Sequence, residues 1–372
     1  MNRRQFLTAG IGSLIAAQGW LNRALAASVT PKVEGELAWY NVQDWGVEGK
    51  GWKDTEKFYD RLPARAKATV RPAVWSLSRN SAGMLTRFET DAQTIHVRYK
   101  LSSERVAMPH MPATGVSGVD LYAANDKGIW RWLACAKPEK RDVNAQLITG
   151  LAPGRRAYTA YLPLYNGIET LEFGVPAKSA FAPIAPRTER PILFYGTSIT
   201  HGASAMRPGM PHPAILGRRF NRPVINLGFS GNGLMEPEVG ALLAELDPCV
   251  YVIDCLPNMQ APLVAERAEP LVRQLRRARP LTPIVLVEDR TYANAPFLPK
   301  QQERHATSRA EFKKAYDRLK SSGVRDLYYI KGETLLGDDY EATVDSSHPT
   351  DLGFMRQADA MEPVLRKALK RG

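Results

Sequence analysis

Four short stretches of this 372-residue chain hold the residue types that nucleophilic acyl transfer requires. In ILFYGTSITHG (192–202), four apolar residues run into Gly196, Thr197 and Ser198. A serine hydroxyl is a poor nucleophile until a base removes its proton. Histidine is the usual base, and an acid must fix its tautomer. DSSHP (345–349) places Asp345 and His348 three residues apart, a spacing that lets the carboxylate approach the imidazole. A tetrahedral intermediate also needs donors for its oxyanion. The backbone N–H groups of Ser198 and of Gly231 in GFSGNG (228–233), with the side-chain amide of Asn258 in LPNM (256–259), would supply three. Each piece has a simpler reading taken singly. Ser198 is then a helix cap, Gly231 a turn glycine, Asn258 a loop residue, and the Asp345/His348 pair a helix start or half a metal site. All of them in this order at strand ends point instead to one catalytic constellation.

His201, Arg207, His212 and Glu236 fall in the loops after the first two strands of this half, where they either line the pocket and read the substrate or are plain surface loop residues. No HxH or HExxH pattern occurs, so neither a metal nor another cofactor is expected.

The elements that must position these residues follow from hydrophobic patterning. From about 190 onward, continuous apolar runs (PILFYG, PVINLGF, CVYVIDCL, PIVLVED, DLYYIKG) alternate with amphipathic stretches (PEVGALLAEL, LVAERAEPLVRQLRRA, SRAEFKKAYDRLKSS, LGFMRQADAMEPVLRKALK). That pattern predicts a doubly wound parallel sheet covered on both faces, an α/β domain over 191–372. Ligands bind such sheets at the carboxyl ends of the strands, where the four stretches fall. Residues 30–176 read differently. Ile95, Val97, Tyr99 and Leu101 alternate with polar residues, and Leu121-Tyr122 leads through Asn125–Gly128 to Ile129, Trp130 and Trp132. LEFGV (171–175) adds another strand. These short strands predict a β-sandwich, jelly-roll-like, whose tryptophans serve mostly as core. Residues 177–190, rich in proline and alanine, read as a linker.

Residues 1–26 carry paired Arg3 and Arg4, an uncharged stretch from Gln5 to Leu21, and Ala24-Leu25-Ala26 as a cleavage site. This is the layout of a twin-arginine-type export signal, too polar for a membrane anchor. The expected destination is periplasmic or extracellular, with no stable membrane insertion after processing. The net charge of +12 falls to +9 once the three arginines of that segment are removed. The remaining excess is spread thin and no nucleic-acid motif accompanies it, so no nucleic-acid partner is expected. Cys135, Cys249 and Cys255 read as buried free thiols.

The four stretches resemble the signature blocks of the SGNH (GDSL-type) hydrolase family. GTSIT is similar to the serine block, GFSGNG to the glycine block, LPNM to the asparagine block and DSSHP to the histidine block. Thr197 stands where the family has aspartate, and Leu256 and Met259 replace the glycine and aspartate of the third block. Neither change removes a catalytic atom. The resemblance covers about 190–368, and residues 30–176 resemble the β-sandwich that precedes some members. It implies a serine esterase acting through an acyl-enzyme, with Ser198, Asp345 and His348 catalytic and Ser198, Gly231 and Asn258 holding the oxyanion. It further implies small-molecule or glycan ester substrates, particularly O-acetyl groups on carbohydrate. Lipid ester or thioester hydrolysis, and glycan binding without catalysis, are the alternatives.

Overall fold

The computed structural model describes residues 29–370 other than Asp126. The export-signal reading of residues 1–26 therefore lies outside the described residues.

Two antiparallel five-stranded sheets build the N-terminal half. One orders its strands Lys32–Glu34, Leu37–Asn41, Ile168–Pro176, Ile95–Leu101 and Asp142–Ile148. The other orders Phe181–Ile184, Leu85–Thr90, Arg156–Tyr161, Asp120–Ala124 and Trp130–Cys135. The alternation expected at Ile95, Val97, Tyr99 and Leu101 is seen: these four are buried and the residues between them are half-buried. They pack with Phe88, Tyr158 and Phe173 into one core between the sheets. The predicted strand–turn–strand is also present. Asn125 Oδ1 accepts from the N–H groups of Lys127 and Ile129, and Gly128 takes φ +74° to close the turn.

The stretch expected as a linker differs. Phe181–Ile184 pairs with Leu85–Thr90 as the edge strand of the second sheet. Proline obscured it, but an edge strand tolerates Pro183 because one side of its ladder is unpaired.

The C-terminal half is a five-stranded parallel sheet, ordered Val224–Gly228, Ile192–Gly196, Val250–Asp254, Ile284–Val287, Leu327–Ile330. Every residue of the first four strands is buried. Leu193, Tyr195, Ile225, Tyr251, Ile253 and Leu286 face one helical layer. Ile192, Phe194, Val250, Val252, Val285 and Val287 face the other. Helix Ala261–Ala278 covers the first face with Val264, Ala268, Leu271, Val272 and Leu275, which share one side of a 3.6-residue period. Two helices depart from expectation. Helix Pro299–Ser321 starts about nine residues before the amphipathic run at Ser308, because its first turns are a polar surface with little apolar period. Helix His212–Phe220 has no solvent face in its first six residues, so no period marks it.

Chain order reverses between the neighbouring strands Ile192–Gly196 and Val250–Asp254. This is the switch point at which a doubly wound sheet opens a crevice.

The two halves meet through buried polar contacts. Asp120, with no exposed surface, accepts from Trp132 Nε1 (2.8 Å), Arg207 Nη1 (3.0 Å) and the Gly209 N–H (2.8 Å). Arg61 is 1% exposed and donates to four main-chain carbonyls. Two belong to Leu77 (2.7 Å) and Asn80 (3.0 Å), two to Asn226 (3.1 Å) and Gly228 (2.8 Å) in the edge strand of the parallel sheet. Burial lowers its pKa to about 9, so it stays charged at neutral pH. Arg61→Leu would strand the Asn80, Asn226 and Gly228 carbonyls without donors, while the Leu77 carbonyl keeps the Asn80 N–H. We expect a loss of roughly 3–5 kcal/mol in unfolding free energy, because each buried unsatisfied acceptor costs about 1–3 kcal/mol. Chemical denaturation of the whole chain measures it, and an unchanged midpoint would mean that water replaces the guanidinium.

Candidate active site

Strand Ile192–Gly196 ends because the chain must turn at once into a one-turn helix, Ser198–His201. Thr197 caps it, its side chain accepting from the Ile199 N–H at 3.3 Å. Gly202 ends it in the left-handed region at φ +110°. The helix is pressed onto the sheet. A Cβ on Gly196 would lie 2.2 Å from Thr200 Oγ1, and one on Gly228 would lie 2.1 Å from the His201 nitrogen. Glycine is therefore required at both strand ends by contact distance. Beneath the helix, Thr200 Oγ1 donates to Asp254 Oδ2 at 3.1 Å. Asp254 forms a two-pronged, fully buried ion pair with Arg290 (2.6 and 2.7 Å), and Arg290 also bonds Gln357.

On this base Ser198, 7% exposed, places its Oγ 2.8 Å from His348 Nε2. His348 Nδ1 lies 2.7 Å from Asp345 Oδ2. Asp345 has no proton to give, so Nδ1 carries the hydrogen and the lone pair of Nε2 faces the serine hydroxyl. The other oxygen, Asp345 Oδ1, accepts from the N–H groups of His348 (2.8 Å) and Ser347 (3.1 Å). The loop is pinned at both ends. Val344 N–H donates to the His348 carbonyl at 2.9 Å, and Ser346, at φ +70°, donates Oγ–H to Asn294 Oδ1 at 2.9 Å.

The oxyanion candidates lie around the same switch point. The Ser198 N–H opens a helix and has no intrahelical acceptor. Gly231 is exposed at φ +66° with nothing near its Cα side. Asn258 sits in the 3-10 turn after strand Val250–Asp254, and its Nδ2 donates to the Asn232 carbonyl at 2.7 Å. That bond uses one of two amide hydrogens and aims the group.

The expected substrate contacts are placed otherwise. His201 is fully buried, bonded through Nε2 to the Leu164 carbonyl at 2.7 Å. His212 is fully buried between Phe194 and Phe354, 3.6 Å from Asp254. Glu236 is enclosed by Arg71, Tyr195 and the Leu234 N–H. Arg207 is spent on Asp120, its guanidinium over the Tyr122 and Trp132 rings. His201, His212 and Glu236 are buried and Arg207 is engaged by Asp120, so all four brace the loops; loop position alone could not separate bracing from contact.

Instead the N-terminal half supplies residues that local reading missed. The Tyr165 hydroxyl bonds the Ser198 carbonyl at 3.4 Å and meets the Ser230 hydroxyl, and its ring stacks on His201 at 4.1 Å. The His110 ring lies 6.4 Å from that of His348. Neither stands in a motif, and no sequence signal marks them.

A parallel sheet with a serine–histidine–carboxylate chain at its switch point, behind a β-sandwich, defines a serine hydrolase acting on esters. Residues 189–366 match the GDSL-like lipase/acylhydrolase family, and residues 37–181 match the N-terminal domain of SGNH-hydrolase-type esterases. A GDSL-like lipase from Bacteroides ovatus is 32% identical, with 90% of this chain and 99% of that one covered at a TM-score of 0.86. The chain belongs to the GDSL-like lipase/acylhydrolase family. Two more distant structures share the fold. The salicylyl-acyltransferase of a tetracycline biosynthetic pathway is 17% identical (92% and 94% covered, TM-score 0.67). A family two carbohydrate esterase from Clostridium thermocellum, in complex with cellohexaose, is 14% identical (78% and 94% covered, TM-score 0.57). No curated protein matches the sequence.

Burial works against ionisation of Asp345, but the His348 backbone N–H, the imidazole and the Ser347 N–H outweigh it and hold the carboxyl below its ordinary 3.8. A depressed acid stabilises the fold above its unfolded pKa, and the effect fades as pH falls through the folded one. The stability difference between wild type and Asp345→Asn should thus hold above about pH 4 and shrink below it. Denaturation at a series of pH values measures this, and a difference that grows on acidification would mean burial dominates.

Proposed function

We propose that this protein is an exported serine esterase that removes acyl groups, chiefly acetyl, from carbohydrate through an acyl-enzyme. The observation that carries the reading is the chain from Ser198 Oγ to His348 Nε2 (2.8 Å) and from His348 Nδ1 to Asp345 Oδ2 (2.7 Å). Ser198 Oγ attacks the ester carbonyl as His348 Nε2 takes its proton. Asp345 holds the tautomer and the resulting imidazolium. The oxyanion accepts from the N–H groups of Ser198 and Gly231 and from the Asn258 amide. The C–O bond then breaks, and the Nε2 proton passes to the departing alkoxide. A water, deprotonated by His348, releases the acid and restores Ser198. No step calls for a metal or an organic cofactor.

The carbohydrate assignment draws support from the β-sandwich beside the catalytic sheet and from the fold shared with carbohydrate esterases. Export draws support from Arg3, Arg4 and the Ala24-Leu25-Ala26 site. Among the described residues no helix is long and apolar enough to cross a membrane.

Ser198→Ala should abolish hydrolysis of acetylated sugars and labelling by a fluorophosphonate probe, with the melting temperature nearly unchanged. Retention of full activity would sink the serine mechanism. p-Nitrophenyl esters of rising chain length give the acyl preference, and a rate that climbs with length would favour a lipid ester over acetyl.

Asn258→Ala should lower kcat by roughly 10²–10³-fold with little change in KM, because an oxyanion donor acts near the transition state. A raised KM at constant kcat would make Asn258 a substrate-binding residue.

A further inference from the structure

His110 belongs to the N-terminal half, yet it sits at the catalytic histidine. Met108 and Met111 exchange backbone hydrogen bonds (2.9 and 3.1 Å), so Pro109 and His110 form a two-residue turn. Proline presets the first turn position, which makes the tip stiff. The turn is anchored from below. Met111, 2% exposed, is part of the core that holds Ile199 of the nucleophile helix. A few residues on, Thr114 Oγ1 donates to the Met206 carbonyl at 2.6 Å. Gly115 lies so close to the catalytic half that a Cβ would fall 2.1 Å from the Ala205 carbonyl oxygen. The tip is thus fixed to the catalytic half, while His110 itself is exposed. Its ring centre lies 6.4 Å from that of His348, at 33° between planes. That separation is too great for the two rings to bond each other directly.

During ester cleavage the departing oxygen must lie within hydrogen-bond reach of His348 Nε2, which protonates it. With the two ring centres 6.4 Å apart, the substituents next to the departing oxygen come within reach of His110. An imidazole carries one donor and one acceptor nitrogen, so it suits a hydroxyl, which is both.

We infer that His110 is a specificity-determining residue that hydrogen-bonds a hydroxyl next to the ester on the leaving alcohol, selecting polyhydroxylated alcohols over simple alkyl ones. The assignment rests on the serine-esterase reading above and extends it from the acyl group to the leaving group. It also gives the N-terminal half a direct part in substrate selection.

The test compares 2-hydroxyethyl acetate with propyl acetate, which share an acyl group and nearly a shape and differ by a hydroxyl. The wild-type enzyme should favour the hydroxylated ester in kcat/KM. His110→Ala should cut that preference roughly 3- to 10-fold, the worth of one hydrogen bond to a neutral partner. His110→Gln, which keeps a donor and an acceptor, should recover part of it. A general disturbance of the site would lower both rates together and leave the ratio flat. A flat ratio in His110→Ala, whatever the absolute rates, overturns the assignment. Ser198→Ala in the same assay reports on the underlying reading. Activity that survives there removes the serine mechanism, whereas a flat ratio in a serine-dependent enzyme removes only the role of His110.

Discussion

A guanidinium withdrawn from water must find acceptors for its N–H groups, and Arg61 finds four main-chain carbonyls. Two come from the N-terminal half and two from the end of strand Val224–Gly228. Val224–Gly228 is an edge strand, and these two carbonyls lie on its unpaired side, where they would otherwise need water. By satisfying them, Arg61 closes the joint between the halves and sets where the loop Gly228–Gly233 begins. The Phe229 ring lies against the cation at 5.0 Å, which ties the next residue of that loop to the same contact. Gly231 and Asn232 follow directly, and Asn232 in turn receives the amide of Asn258.

A second buried charge supports the Ser198 helix. Asp254 and Arg290 form an ion pair with no exposed surface, and Thr200 and Gln357 take up further bonding capacity. Such pairs are costly to bury and costlier to break by halves. Their use here is geometric. Asp254 ends one strand, Arg290 follows the next, Gln357 belongs to the helix after His348, and Thr200 lies two residues from Ser198. Four segments distant in sequence are therefore held in one register around Ser198. Desolvation raises the Asp254 pKa despite Arg290, so the pair gives position more than stability.

The N-terminal half reaches the site with the turn bearing His110 and with Tyr165, which contacts both the Ser198 carbonyl and Ser230. Asp120 fixes the approach by gathering Trp132, Arg207 and Gly209, one from its own half and two from the other. The N-terminal half thus touches the residues around Ser198 and His348 directly.

The parallel sheet was legible in the sequence because its strands are buried on both faces and read as unbroken apolar runs. The sandwich was legible at Ile95–Leu101 because one face is core and the other is not. Ser198, Asp345 and His348 were legible because their chemistry is rare in combination and their local loops are short. The strand at 181–184 was not, since its pairing partner lies about 90 residues away and proline masks its pattern. The buried fates of His201 and His212 were not legible either. A histidine after a strand looks the same whether it faces substrate or packs under a ring. His110 and Tyr165 come to the site only through the docking of one half on the other. Periodicity and motif spacing are local properties, so the sequence by itself determined the two layers and the candidate catalytic residues. Which side chains wall the crevice depends on long-range packing and on where buried polar groups find partners, and only the tertiary structure decided that.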